Sequence, residues 1–150
     1  MNLSEMSDDA CIRFLESHTF GHLGCSGEGY PYVIPINYAC EARKVFMFSM
    51  PGQKVEYLRA RPYACLQVED VGAAGRWESV IVQGLFEELP DTDERRTDRL
   101  HAWSLLEKRP LWWEPGTFEI TDGISQSEGG PVFFSLSIQI MSGRRVEHRS

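Results

Sequence analysis

The sequence predicts a mainly β fold, a small antiparallel barrel of six strands with helices appended. Three observations carry this: several short apolar or alternating runs, turn-forming clusters between most of them, and only a few stretches with helical spacing. At 150 residues, 42% of them hydrophobic, the chain suits one domain (1–150) around a single core.

Residues 4–17 read as a helix: Ser4 or Ser7 can cap it, Asp8 and Asp9 suit its positive end, and Ile12, Phe14 and Leu15 supply apolar surface. "FGHLGCSGEGYPYVIPINYA" follows. Its GCSGEG portion reads as a hairpin turn, because the glycine order does not fit GxGxxG and no helical pattern follows. In the run Tyr30–Tyr38 both faces are largely apolar, so both should be covered. Pro31 and Pro35 lack ladder donors, which points to an edge strand or a bulge. A bound ligand or a second subunit would cover such a strand.

KVFMFS (44–49) and PYACLQVED (62–70) read as strands, with "FSMPGQKVEYLRARP" forming a short helix between them. The loop 71–76 leads to a long strand, 77–89, in which Trp77, Ser79, Ile81, Gln83 and Leu85 alternate with Glu78, Val80, Val82, Gly84 and Phe86. Asp91 is expected to cap a third helix, with Glu94 in the reciprocal position and Leu100, Trp103 and Leu106 as its apolar stripe. Arg95, Arg96 and Arg99 read as a solvated face. Segments 109–116 and 121–130 read as loops. The last strand, 131–141, is expected to turn Val132, Phe134, Leu136, Ile138 and Ile140 inward, and Ser135, Ser137 and Gln139 outward.

The net charge of −7 argues against nucleic acid and against anionic membrane surfaces, both of which need a basic footprint. Cys11, Cys25, Cys40 and Cys65 show no metal or redox spacing and read as free thiols of a cytoplasmic protein. His18, His22, His101 and His148 form no HxxxH or HExxH pattern, so no metal site is expected. The N-terminus is acidic and amphipathic, unlike a signal peptide, and no apolar run reaches membrane-spanning length.

The start of the second helix is the candidate for chemistry, the alternative being a solvated lysine on a surface turn. Free N–H groups and a partial positive charge gather there. Pro51 fits the first helical position and Gly52 permits close approach to the backbone. Lys54 opposes the helix dipole, which makes sense with an anion bound beside it, and Ser49 offers that anion a hydroxyl. Trp77, Trp112 and Trp113 fall at a strand start or in a loop, where they suit a flat ligand or an interface. No Ser-His-Asp set or pair of catalytic carboxylates stands out.

The ordered segments "FGHLGCSGEGYPYVIPINY", "KVFMFSMPGQK", "RPYACLQVED" and "RWESVIVQGLFEEL" resemble the FMN-binding split-barrel proteins. These are the pyridoxamine 5′-phosphate oxidase-like group, especially its nitroimidazole-resistance-like branch. "PLWWEPG" is similar to that branch's late loop. The resemblance implies a six-stranded split barrel, a homodimer, and FMN at its interface. By position it implies Tyr32, Val33, Ile34 and Pro35 along the isoalloxazine, and Ser49, Gln53 and Lys54 at the phosphate. Trp77, Ser79 and Val80 would line the pocket, and Trp112 and Trp113 would cover it. The activity implied is an oxidoreductase passing electrons from NAD(P)H to a small electron-poor acceptor such as a nitroaromatic or quinone. The alternative is a non-catalytic module binding flavin, F420 or haem. Phe48 stands where many members of the branch carry histidine, which argues against histidine-dependent chemistry there. No basic cluster suits a substrate phosphate, as a literal pyridoxamine-phosphate oxidase would need.

Overall fold

The computed structural model describes residues 2–108 and 130–147. One antiparallel sheet organises them, with strands β1 (Asn2–Glu5), β2 (Phe20–Ser26), β3 (Pro31–Asn37), β4 (Ala39–Glu41), β5 (Lys44–Ser49), β6 (Tyr63–Val71), β7 (Trp77–Glu88) and β8 (Val132–Glu147). Helices α1 (Asp8–Ser17), α2 (Gln53–Ala60) and α3 (Arg96–Leu106) pack around it. The order is β3-β2-β6-β7-β8-β5-β4, with β1 added to β8. The sheet curls into the split barrel that the resemblance implied.

Eight strands replace the six expected. One addition is β1, drawn from residues read as helical. The Ser7 hydroxyl accepts from Ala10 N–H at 3.1 Å, so α1 starts at Asp8 and the residues before it pair with the end of β8. The other is β4, joined to β5 by a two-residue turn in which Ala42 and Arg43 have φ of 52° and 61°. Paired positive φ values match the twist of a hairpin.

Inside the barrel lie Leu23, Ile36, Val45, Met47, Leu66, Val68, Val80, Val82, Phe134 and Leu136, closed by Phe14 and Leu15 of α1 and Leu58 of α2. This is the even-numbered set of β7, as alternation requires. A second cluster forms outside, where α3 lays Ala102 and Leu106 over Phe46, Phe48 and Phe133. Phe48 therefore fills core volume, its ring 5.4 Å from that of Phe133.

Four expectations are corrected here. Helix α3 begins at Arg96 without a side-chain cap, not at an Asp91–Glu94 box. Its buried stripe includes Arg99 rather than Leu100: the guanidinium lies 4.6 Å from the centre of the Phe133 ring and donates to the Leu89 carbonyl at 3.1 Å. Stacking and a carbonyl partner hold this cation out of water. Pro51 lies outside α2, because the helix begins at Gln53 with Gly52 as its cap. Finally, β8 carries a bulge opposite Gln83 and Gly84, with Gln83 facing Ile140 and Gly84 facing Ile138. The extra residue turns Ile140 outward, where it is 61% exposed. Ser135 faces outward as expected, yet is buried on the side that α3 covers.

Among the described residues no helix is long and apolar enough to cross a membrane.

Candidate functional site

Among the described residues no helix lies over the outer face of β3, β2, β6, β7 and the far half of β8. Register places Val33, Gly24, Cys65, Gln83 and Ile140 in one row across it. Pro35, His22, Gln67, Ile81 and Ser142 form the next. Val33 is 63% exposed, Tyr63 68% and Ile81 43%. The first row floors an open cleft of about 470 Å³, walled by Pro31, Tyr63 and Gln139. The double covering expected of Tyr30–Tyr38 is thus half present within the protomer. Ile36 and Tyr38 are buried and Tyr32 and Ile34 pack against the core, while Val33 and Pro35 look out. β3 pairs only with β2, the edge position its prolines predicted.

At the Ser26 end of β2, α2 packs across the barrel mouth. Gln53 is exposed and Lys54 half-buried. Lys54 lies close enough to β2 for its charge to act on Cys25. That thiol is pushed up from its ordinary value by burial and by Cys65, and drawn partly back by Lys54. Tyr57, one turn on, sets its ring against Tyr32 with centroids 5.3 Å apart. Ser49 is buried, and its hydroxyl donates to the Met50 carbonyl at 2.8 Å. To donate to a phosphate, this hydroxyl would have to turn its proton away from Met50. Gln53, Lys54, Tyr32 and Val33 thus gather around one end of the β2–β3 hairpin.

The remaining candidates lie apart from these. Trp77 and Ser79 face outward on β7, which β2 and β6 separate from β3. Trp77 donates from Nε1 to Glu69 at 3.3 Å, and Ser79 accepts from Gln67 at 3.3 Å. Val80 is fully buried and its side chain belongs to the core. Trp112, Trp113 and most of the 109–116 and 121–130 segments lie outside the described residues, as does His148.

Sequence reasoning missed the cleft members Gly24, Tyr63, Cys65 and Ile140. Outward positions on alternating strands were the available signal for the first three, while the bulge concealed the last. It also missed Asn37, which continues the outward face of β3 beyond Pro35. Asn37 is 4% exposed and neither its Oδ1 nor its Nδ2 has a hydrogen-bond partner. A buried, unsatisfied amide costs about 1–3 kcal/mol, so Asn37 is the kind of group a polar ligand edge would satisfy. His22 stands on the outer face with its ring edge-on to Phe20 at 5.6 Å. Among the described residues no three His, Cys, Asp or Glu side chains gather as a metal site would need.

A family model described as pyridoxamine 5′-phosphate oxidase matches residues 7–145. An uncharacterised protein of Rhizobium meliloti (strain 1021) is 37% identical over 139 residues, covering 93% of this chain and 92% of that one. A crystal structure of an FAD-binding protein from Mesorhizobium loti superposes with a TM-score of 0.83 at 38% identity, over 98% of this chain and all of the other (100%). At 20% identity the likeness concerns the fold alone: a candidate 5-nitroimidazole antibiotic resistance protein from Bacteroides thetaiotaomicron has a TM-score of 0.69, over 96% of this chain and 87% of that one.

Proposed function

The chain belongs to the pyridoxamine 5′-phosphate oxidase family, and from that membership and the site's geometry we propose that it binds a flavin on the uncovered sheet face, between two copies of itself. The observation that carries this is an apolar cleft on the outer face bordered by the β2–β3 hairpin, together with α2, whose Tyr57 packs on that hairpin one turn after Lys54. The first suits an isoalloxazine ring, and the second suits a phosphate.

In this reading the ring lies along Tyr32–Pro35. Val33 and Ile140 supply apolar contact. The ribityl phosphate, common to FMN and FAD, is held by Lys54 and the first N–H groups of α2, with Gln53 and Ser49 beside it. Trp77 and Ser79, too distant along the sheet to meet β3 within one protomer, join the pocket from the second copy. Trp112 and Trp113 cover it.

A bound flavin supplies hydride and one-electron transfer. The chain's own residues bind, orient and exclude water. We assign the protein as an oxidoreductase drawing on NAD(P)H and reducing a small electron-poor acceptor, a nitroaromatic or quinone.

The test begins with the visible spectrum of the purified protein, where a flavin envelope is expected and a Soret band would mark haem instead. Bleaching by NADH or NADPH, reversed by acceptor, would establish turnover. Lys54→Ala removes a charge-assisted partner of the phosphate worth about 1.5–3 kcal/mol, about 10- to 150-fold in dissociation constant. Equal flavin affinity of mutant and parent would refute the phosphate placement.

A further inference from the structure

We propose that Arg61 and the β2–β3 hairpin form a second subsite, which takes the adenylate half of a dinucleotide flavin and makes the protein select FAD over FMN. This rests on the flavin reading above and extends it to which flavin is bound.

A second cleft, about 280 Å³, lies beside the first and is lined by Ser26, Gly27, Gly29, Tyr30, Pro31 and Arg61. Cys25, Ser26 and Pro31 line both clefts, so the two are neighbours across the β2–β3 hairpin. Tyr57 of α2 packs on Tyr32 and against Gly27 of the hairpin, and Lys54 stands one turn before it, which sets the proposed phosphate position beside the hairpin that borders both clefts. A ligand held there by its phosphate has the ring cleft on one side and the Arg61 cleft on the other.

The helix supplies the spacing. Lys54, Tyr57 and Arg61 recur at intervals of three and four along α2 and its C-cap, so they share one face. Seven residues advance about 10 Å along a helix, a reach that suits a second nucleotide beyond the first phosphate. Tyr57 between them packs on the hairpin, 3.4 Å from where a Gly27 Cβ would stand.

Charge and shape agree. In a chain of net charge −7, five of the ten described arginines are committed to acids: Arg43 to Asp8, Arg59 to Glu56 and Glu88, Arg95 to Glu87, Arg96 to Asp91 and Arg145 to Glu78. Arg61 has no such partner among the described residues and stands exposed at the cleft wall. Its guanidinium can pair with a second phosphate or stack on a purine. Tyr30, 85% exposed, offers a ring for the same base. Gly29, at φ +85° with open space where a side chain would be, leaves the backbone accessible.

The experiment uses the full chain stripped of flavin, titrated with FAD and with FMN by flavin fluorescence. The parent should bind FAD tighter by about 10- to 100-fold, the advantage of one charge-assisted contact. Arg61→Ala should erase that advantage with FMN affinity unchanged, and Arg61→Lys should retain part of it. Thermal melting checks that both variants fold. Equal affinity of the parent for FAD and FMN overturns the proposal, as does an FAD-to-FMN ratio that Arg61→Ala leaves unaltered. A parent that binds neither overturns the flavin reading itself.

Discussion

Truncating Ile140 should weaken self-association while sparing the fold of the protomer. The residue stands 61% exposed on the outer face, in the row that runs to Val33. Ile140→Ala removes three carbons, about 2.4 kcal/mol at about 0.8 kcal/mol per carbon were all of them newly buried on pairing. Only the exposed share can be newly buried, so the loss scales to about 1.5 kcal/mol per copy. A twofold interface repeats every contact, and the dimer loses about 3 kcal/mol, about 150-fold in its dissociation constant. Sedimentation equilibrium across the micromolar range measures this directly. Leu100→Ala, at a 40% exposed position on α3, is the control and should change nothing. Flavin affinity should fall with the dimer if, as proposed, the second copy closes the pocket. A parent that stays monomeric, or an Ile140→Ala protein that associates as tightly as the parent, would refute the reasoning.

Gly84→Ala should destabilise the barrel, since the new Cβ would stand 2.5 Å from the Ser137 carbonyl oxygen, a backbone atom of the bulge; overpacking of this kind costs about 1–3 kcal/mol, read from urea unfolding. Ser7→Ala deletes the α1 cap and should cost about 1 kcal/mol in the same assay. With flavin removed and the pair dissociated, Cys65 should be the first of the described thiols to react with iodoacetamide near neutral pH, because in the protomer it is exposed whereas Cys11 and Cys25 are buried, and Cys65→Ser should remove that fast phase. Burial raises Cys40 from the ordinary 9.0 to about 11. The folded state therefore keeps a proton that the unfolded chain loses first. That contribution to stability is whole below pH 9 and fades as pH climbs towards 11, a decline that Cys40→Ala should flatten in unfolding measured against pH.

Local patterns were legible in the sequence and long-range ones were not. The alternation of β7 correctly separates inward Val80 and Val82 from outward Ile81 and Gln83, because period-two patterning needs no knowledge of the neighbours. Ile140 defeated the same rule: a bulge one residue earlier shifts the phase, and nothing in "SLSIQIM" marks it. β4 was hidden because Ala42 and Arg43 are not turn residues, although their paired positive φ values suit the hairpin. Arg99 was read as solvated because charge normally seeks water. Its burial depends on Phe133 and Leu89, neither of which is local to its helix.

The candidate site divides along the same line. Lys54 could be read from one short segment, since a helix start and its first-turn charges are contiguous in the chain. The sheet face comes from β3, β2, β6, β7 and β8, and its membership depends on strand order that local patterning cannot supply. Val33 and Trp77 both point outward, yet β2 and β6 stand between their strands, so one protomer cannot close them around a single ring. Along β7, Trp77 is about 20 Å from Gln83 at the cleft floor. A face this apolar, left open on one side and carrying site candidates too far apart to meet, is what the proposed pairing would complete. Twofold pairing would bring the Trp77 end of one sheet over the Val33 end of another, which is why the association assay bears on the chemistry as well as on the assembly.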